Sequence, residues 1–171
     1  DECWVYGQFW KEQLESAGWP SDRVRICGYF PSHQPLRPRP VAEPYVLYSS
    51  QPGLQSLVVD HIRSIREEAS SRGFKIVIAL HPSASERREI YEPLLDDRVC
   101  ILPEHDSYDL LACCWAHVSV SSTLLVESVA FKLISHTIAG PTHRFSQFAR
   151  LISGGLLREL GPGQFPSDGR V

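Results

Sequence analysis

Long apolar runs, an excess of basic residues and methionine are all missing from this 171-residue sequence. No stretch approaches the roughly 18 apolar residues that a membrane-spanning helix needs, and no secretory signal opens the chain. Its 17 Lys and Arg against 20 Asp and Glu give a net charge of −3, which argues against a nucleic-acid-binding domain. The chain starts at Asp1 without an initiator methionine and enters a strand-like run almost at once. We therefore expect it to begin within a longer protein.

Several signatures of known chemistry are also missing. The sequence has no GxGxxG dinucleotide fingerprint, no P-loop, no HExxH zinc motif and no GxSxG nucleophile elbow. Its seven histidines lack the spacing of metal ligands. We therefore predict neither a metal ion nor a cofactor, and the catalytic residues stay unassigned.

The five cysteines are odd in number and form no CxxC pair. Four of them stand in three apolar runs, the segments RICGY, RVCIL and LLACCW. Cysteines in such runs are typical of small core residues in a reducing compartment. With 43% hydrophobic and 22% charged residues, the composition is that of an ordinary globular protein.

Proline divides the chain into two parts. Residues 30–44, FPSHQPLRPRPVAEP, are too rich in proline for a helix or a central strand and are predicted to form a linker. Residues 1–29 before it have the pattern strand, helix, strand. Residues 45–162 after it are predicted to form the main domain, and residues 163–171 a tail.

Strand and helix patterns alternate through the main domain. Five apolar runs of strand length are separated by stretches with helical periodicity; the runs cover 45–49, 74–80, 98–102, 116–120 and 133–138, and the helical stretches 53–72, 86–95, 107–115, 123–131 and 145–152. Strands that are apolar on both faces belong to a parallel sheet covered by helices. The sequence therefore predicts an α/β fold, a Rossmann-like parallel sheet with helices on both faces.

Ligands of such sheets bind at the carboxyl ends of the strands, where polar turn-forming clusters follow each run in this sequence. Ser121, Ser122 and Thr123 are expected at the start of a helix, where backbone N–H groups favour a phosphate. The alternative is simple capping of that helix. Glu127, one turn later among apolar residues, can accept from ribose hydroxyls, or it is a solvated or locally paired glutamate.

Two other strand ends carry candidate ligand contacts. His81 follows the second run, and its imidazole can donate to a phosphate, although a histidine there is also an ordinary turn residue. Gln51 and Gly53 follow the first run. Gly53 permits a close backbone approach to a ligand, whereas the tripeptide QPG is equally a plain turn.

These motifs together resemble a family. The opening segment DECWVYGQFWKEQLESAGWPSDRVRICGY resembles the end of the N-terminal domain of bacterial glycosyltransferases that make capsules and other surface polysaccharides. ALHPS and VSVSSTLLVES resemble the HP and SS/ST motifs of bacterial sialyltransferases, polysialyltransferases and Kdo transferases. The region is also similar to UDP-N-acetylglucosamine 2-epimerases and CDP-glycerol transferases, which share the GT-B architecture.

The resemblance implies that the chain is the C-terminal, nucleotide-sugar-binding half of a GT-B fold. His81, Ser121 and Ser122 would hold the nucleotide phosphate, and Glu127 the ribose. The donor would be CMP-, CDP- or UDP-linked and the acceptor a saccharide or a lipid-linked saccharide. The general base would come from the N-terminal domain, so we expect the isolated chain to be inactive. The full enzyme would act in the cytoplasm or peripherally at the inner face of the membrane.

One departure from the family leaves alternatives open. Many relatives continue with G-x-P after the glutamate helix, whereas residues 131–133 are Phe-Lys-Leu. A UDP-N-acetylglucosamine 2-epimerase-like enzyme would also bind a nucleotide sugar. A non-catalytic binding or scaffold domain that keeps the GT-B fold is the third hypothesis.

Overall fold

The computed structural model of the protein describes residues 2–28, 40–83, 88–139 and 146–169. The chain divides into two compact units, Asp1–Pro35 and Leu36–Val171. No helix within the described ranges is both long and apolar enough to cross a membrane.

The first unit is a strand–helix–strand motif. Strand β1 (Cys3–Val5) and strand β2 (Val24–Ile26) pair in parallel, with helix α1 (Gln8–Ser16) and a 3-10 turn (Ser21–Arg23) between them. A helix between two parallel strands is the usual crossover connection. The assignment of this unit to the end of a preceding domain stays a prediction.

The second unit is built on a six-stranded sheet in which every pair of neighbouring strands is parallel. The strands are β3 (Tyr45–Ser49), β4 (Lys75–Ala79), β5 (Val99–Ile101), β6 (Ala116–Ser119), β7 (Ser135–Ile138) and β8 (Leu157–Leu160). The helices are α2 (Gln55–Ser71), α3 (Ser107–Cys113), α4 (Leu124–Glu127) and α5 (Ser146–Ser153). Across the sheet the order is β5-β4-β3-β6-β7-β8. This is the 3-2-1-4-5-6 order of Rossmann folds, counted from β3.

Both faces of the sheet are covered by helices, as the fold-class prediction requires. On one face, α2 packs Val58, Ile62 and Ile65 against the buried side chains of the central strands. On the other face, α3 packs Leu110 and Leu111 against Tyr45, Leu47 and Val77. Because β3 alternates its side chains between these two clusters, all five of its residues are buried. The predicted Rossmann-like sheet is confirmed.

One local expectation is wrong, and one strand was not expected. The helix predicted over 86–95 is absent from its described part, where two 3-10 turns stand instead, Arg88–Ile90 and Glu92–Leu94. Pro93 cannot donate a helical hydrogen bond, and its ring obstructs a continuous helix. Strand β8 was not anticipated, because its exposed central residues, Arg158 and Glu159, break the apolar run that marks the other strands.

The residues that follow β8 pack against the sheet. Phe165 is 6% exposed and lies among Trp115, Phe74 and the guanidinium of Arg72. Further on, the carbonyl of Gly169 accepts from the N–H of Ile134 at 3.1 Å. Residues 163–169, expected from the sequence to be a tail, thus contribute to the core of the second unit.

One face of the sheet carries a row of buried polar side chains, which we call the polar seam. It consists of Ser49, His117, Ser119, Ser135 and Thr137, all at most 3% exposed. Nε2 of His117 is 2.9 Å from the hydroxyl of Ser49, and Nδ1 is 2.6 Å from that of Ser135. Burial lowers the pKa of His117 to about 3, so the imidazole is neutral near pH 7.

Candidate functional site

An open cleft of about 520 Å³ lies at the carboxyl edge of the sheet in the second unit. It is formed where the chain leaves β3, β4, β5 and β6, and the side chains around it come from Gln51, Leu80, His81, Pro82, His105, Asp106, Ser107, Tyr108, Ser122, Thr123, Leu124 and Glu127. Strands β3 and β6 are neighbours, and their connections leave toward opposite sides of the sheet. The cleft therefore occupies the topological switch point, the position at which Rossmann-like sheets bind ligands.

Five of the seven residues nominated from the sequence line this cleft. They are Gln51 after β3, His81 after β4, and Ser122, Thr123 and Glu127 after β6. These residues can lie together only if the strands that precede His81 and Ser122 flank the strand that precedes Gln51. The observed order β4-β3-β6 confirms it.

The other two nominated residues do not line the cleft. Ser121 is half-buried and precedes the lining residues of its loop. Gly53 has a φ of +80°, and a Cβ there would have no atom within 4 Å. The position thus favours glycine for the turn into α2, not for a close approach of neighbouring atoms. A ligand contact by either residue stays a prediction.

Ser122 caps the helix that follows it. Its Oγ accepts from the N–H of Leu124 at 3.2 Å, and the side chain is 8% exposed. A serine hydroxyl that accepts one hydrogen bond still has its own hydrogen to donate. Thr123 next to it is exposed and makes no capping bond with its side chain. Both hydroxyls stand at the wall of the cleft.

Glu127 is half-buried and is the last residue of α4. A 3-10 turn, Ser128–Phe131, continues the helix and ends at Lys132, whose φ is +54°. This is the point at which many members of the family that the sequence resembles have G-x-P. The chain makes the left-handed turn with a lysine, so the departure from the family motif does not prevent the turn itself.

His81 is oriented by its own loop. Its Nδ1 accepts from the backbone N–H of Ser83 at 3.1 Å. In the neutral imidazole this leaves the proton on Nε2, because the two ring nitrogens divide the donor and acceptor roles. The exposed ring can therefore donate from its Nε2–H group while the imidazole is neutral.

The loop between β5 and α3 also lines the cleft, and none of its residues was nominated from the sequence. Asp106 caps α3, since its Oδ1 accepts from the N–H groups of Tyr108 at 2.9 Å and Asp109 at 2.8 Å. Tyr108 contributes the one phenol ring among the described residues that line the cleft, and it stacks on Phe131 with centroids 6.5 Å apart. The polar cluster EHDS after the third run is the signal that marks this wall.

Two polar atoms in the cleft walls are buried without a hydrogen-bond partner in the described part of the chain. They are Oε1 of Gln51 and Nδ1 of His105. A buried polar atom left unpaired costs about 1–3 kcal/mol. Both side chains belong to residues that line the cleft, so a ligand that draws either side chain outward would remove that cost.

The described residues include five free cysteines and no cluster of metal-ligating side chains. No group of three His, Cys, Asp or Glu side chains there is arranged to hold a metal ion. The five cysteines are free, and burial raises the pKa of the Cys100 thiol. The cleft offers hydroxyls, imidazoles, carboxylates and one phenol ring.

No family model and no curated protein sequence matches the chain. Solved structures do match. MnaA of S. aureus, determined with UDP, is 13% identical over 89% of this chain and 44% of its own, with a TM-score of 0.64. UDP-GlcNAc 2-epimerase of Neisseria meningitidis, bound to UDP-GlcNAc, is 16% identical over 89% and 47%, with a TM-score of 0.59. The glycosyltransferase SnogD of Streptomyces nogalater is 14% identical over 96% and 45%, with a TM-score of 0.58.

The second unit has a Rossmann-like α/β fold that matches part of these GT-B-type structures. At such low identity the likeness concerns the fold alone. The chain spans about half the length of each of these proteins.

Proposed function

We propose that the second unit binds the nucleotide-sugar donor of a glycosyltransferase, in the cleft at the switch point. The observation that carries this proposal is the meeting of Gln51, His81, Ser122, Thr123 and Glu127 from three strand ends. These residues are far apart in the sequence, and the sequence pattern alone predicts that they contact a nucleotide. Convergent polar groups in a cleft are the usual mark of a small-molecule site.

The phosphates would lie between His81 and the loop Ser122–Thr123. A diphosphate needs donors, and this part of the cleft has the Nε2–H of His81 and two hydroxyls. Each hydrogen bond to a phosphate oxygen is charge-assisted and is stronger than one between neutral groups. Ser121 would contribute through its backbone, since its side chain does not line the cleft.

The nucleoside would extend from the phosphates along the two remaining groups. Glu127, four residues after Thr123, would accept from the ribose hydroxyls, as a carboxylate accepts hydrogen bonds only. The base would stack on Tyr108, whose ring is backed by Phe131. Stacking of a base on an aromatic ring is worth about 1–3 kcal/mol and tolerates any base.

Catalysis would need the other half of a GT-B fold. The similar structures are about twice as long as this chain. We infer that their additional half corresponds to the domain that supplies the acceptor site and the general base. This unit would position the donor and stabilise the departing phosphate. The HP and SS motifs favour an enzyme of capsule or surface-polysaccharide synthesis, working at the cytoplasmic side of the membrane.

A UDP-N-acetylglucosamine 2-epimerase-like enzyme is the second candidate. Two of the similar structures contain UDP or UDP-GlcNAc, and one of them is named as such an epimerase. The donor half would be used in the same way in both enzymes. The nucleotide preference separates them in part, because a CMP preference favours a sialyl- or Kdo-type transferase and excludes the UDP-dependent epimerase.

A binding panel tests the proposal on this chain. CMP, CDP, UDP, GDP and their sugars are each added during thermal unfolding. A ligand at 100 times its Kd stabilises the folded state by about 2.7 kcal/mol. For a chain of this size, that raises Tm by about 5–10 °C.

A variant in the cleft and a control variant far from it show where the nucleotide binds. Glu127→Gln should lower the Tm increase caused by the preferred nucleotide, whereas Ser71→Ala, at the far end of α2, should leave it unchanged. If no nucleotide raises Tm, the scaffold hypothesis replaces the enzyme hypotheses. If the increase survives Glu127→Gln and Ser122→Ala together, the nucleotide binds elsewhere.

A further inference from the structure

The strands that frame the cleft separate at a defined position. The pairing of β3 with β6 ends at Ser49 and Ser119, and that of β6 with β7 ends at Ser119 and Thr137. Beyond these residues the chain turns away to reach Gln51 on one side and Ser122 on the other. A crevice at a switch point requires this separation.

Two hydroxyls of the polar seam donate to backbone carbonyls at these strand ends. Oγ of Ser119 donates to the carbonyl of Ser49 at 2.8 Å. Oγ1 of Thr137 donates to the carbonyl of Val120 at 3.1 Å. Each hydroxyl reaches from one strand to the end of its neighbour, and both side chains are at most 1% exposed.

We propose that Ser119 and Thr137 are positioning residues of the nucleotide site, because they fix the strand ends that carry Gln51 and Ser122. The inference rests on the proposed function. The carbonyl of Ser49 is two residues from Gln51, and that of Val120 is two residues from Ser122. A shift of either strand end would therefore displace a residue of the cleft wall directly.

Stability alone does not account for these hydroxyls. A buried hydroxyl needs a partner, and the net gain from its hydrogen bond is small compared with burial of an apolar side chain of the same size. Valine in place of Thr137 would bury a similar volume without that requirement. A hydroxyl that donates to a backbone carbonyl can hold that carbonyl in place where two strands separate. Both hydroxyls donate to carbonyls of this kind.

The experiment compares two variants with one control in the same seam. Ser119→Ala and Thr137→Val each remove a donor to a strand-end carbonyl. Ser135→Ala removes a buried hydroxyl that bonds to the His117 side chain and touches no strand end. UDP affinity is measured by calorimetry, and amide hydrogen exchange of residues 50, 51, 121 and 122 is measured without ligand.

Ser119→Ala and Thr137→Val should each weaken UDP binding about three- to tenfold, as expected for one lost hydrogen bond. Both should speed exchange at the amides next to the lost bond. Thr137→Ser, which keeps the donor, should restore both properties. Ser135→Ala should lower thermal stability but leave the affinity and these exchange rates as in the wild type.

The two readouts separate the possible failures. If the wild type binds UDP and both variants bind it equally well with unchanged exchange, the positioning role is overturned. If the wild type binds no nucleotide, the proposed function fails, and the exchange rates still decide whether the hydroxyls hold the strand ends. If Thr137→Val does not fold, Ser119→Ala and Thr137→Ser decide the question.

Discussion

Acidification is expected to destabilise the second unit through His117, which lies fully buried in the polar seam. Burial lowers the pKa of His117 from 6.5 to about 3, with a smaller contribution from His136. Between these two values the unfolded chain binds a proton that the folded protein does not. The free energy of unfolding therefore rises with pH across this range and falls as the pH is lowered.

The size of the effect follows from the width of the range. For one such group, each pH unit below 6.5 lowers the free energy of unfolding by up to about 1.36 kcal/mol. At pH 5.0, which is about 1.5 units below the unfolded pKa, His117 alone should lower the free energy of unfolding by about 2 kcal/mol relative to pH 7.5. Burial also lowers the pKa of His61 and of His136, so the wild-type loss should exceed this figure.

A variant that lacks only the His117 imidazole isolates the contribution of that residue. Urea unfolding followed by tryptophan fluorescence gives the free energy at each pH by linear extrapolation. His117→Gln should be less stable than the wild type at pH 7.5, but its deficit should shrink by about 2 kcal/mol at pH 5.0. Ser135→Ala, which keeps the buried imidazole, should retain the wild-type slope. Parallel pH dependences for the wild type and His117→Gln would refute the reasoning.

Three further predictions concern single residues. Ser122→Ala should weaken nucleotide binding about tenfold in calorimetry and, through the lost cap, lower the free energy of unfolding by about 1 kcal/mol; Thr123→Val should weaken binding alone. Lys132→Gly should raise the free energy of unfolding by up to about 1 kcal/mol in urea, since glycine adopts a positive φ without strain. Gly169→Ala should lower Tm, because its Cβ would lie 1.7 Å from the carbonyl oxygen of Trp115; an unchanged Tm would show that residues 163–169 add nothing to stability.

The sheet could be predicted because its strands are buried on both faces. Runs such as YVLYS and KIVIA have no polar alternation, and that pattern indicates a parallel sheet covered by helices. Strand β8 was not predicted, because it lies at the sheet edge and its two central residues are exposed. The 3-10 turns at 88–94 were not predicted, because the helical periodicity of a segment does not show the effect of one proline.

The part of the candidate site that follows the apolar runs could be predicted from the sequence. The part that α3 contributes could not. Ser122, Thr123 and His81 stand directly after apolar runs, so the edge rule alone brings them together. Tyr108 is different, because within the segment SYDLLACCW it counts as one apolar residue of a helix. Only the position of α3 beside the β6 loop makes its ring part of the cleft. The hydroxyls of Ser119 and Thr137 were likewise hidden inside strands.

Capping and phosphate binding, which the sequence presents as alternatives for the Ser121–Thr123 cluster, need not exclude each other. The cap uses a lone pair of the Ser122 hydroxyl to accept from Leu124. A phosphate would use the hydrogen of the same hydroxyl, which the cap leaves in place. The cap also fixes the rotamer of Ser122, so a bound phosphate would not have to order that side chain. In this arrangement the helix cap prepares the donor for its ligand, and loss of Ser122 should reduce stability and affinity together.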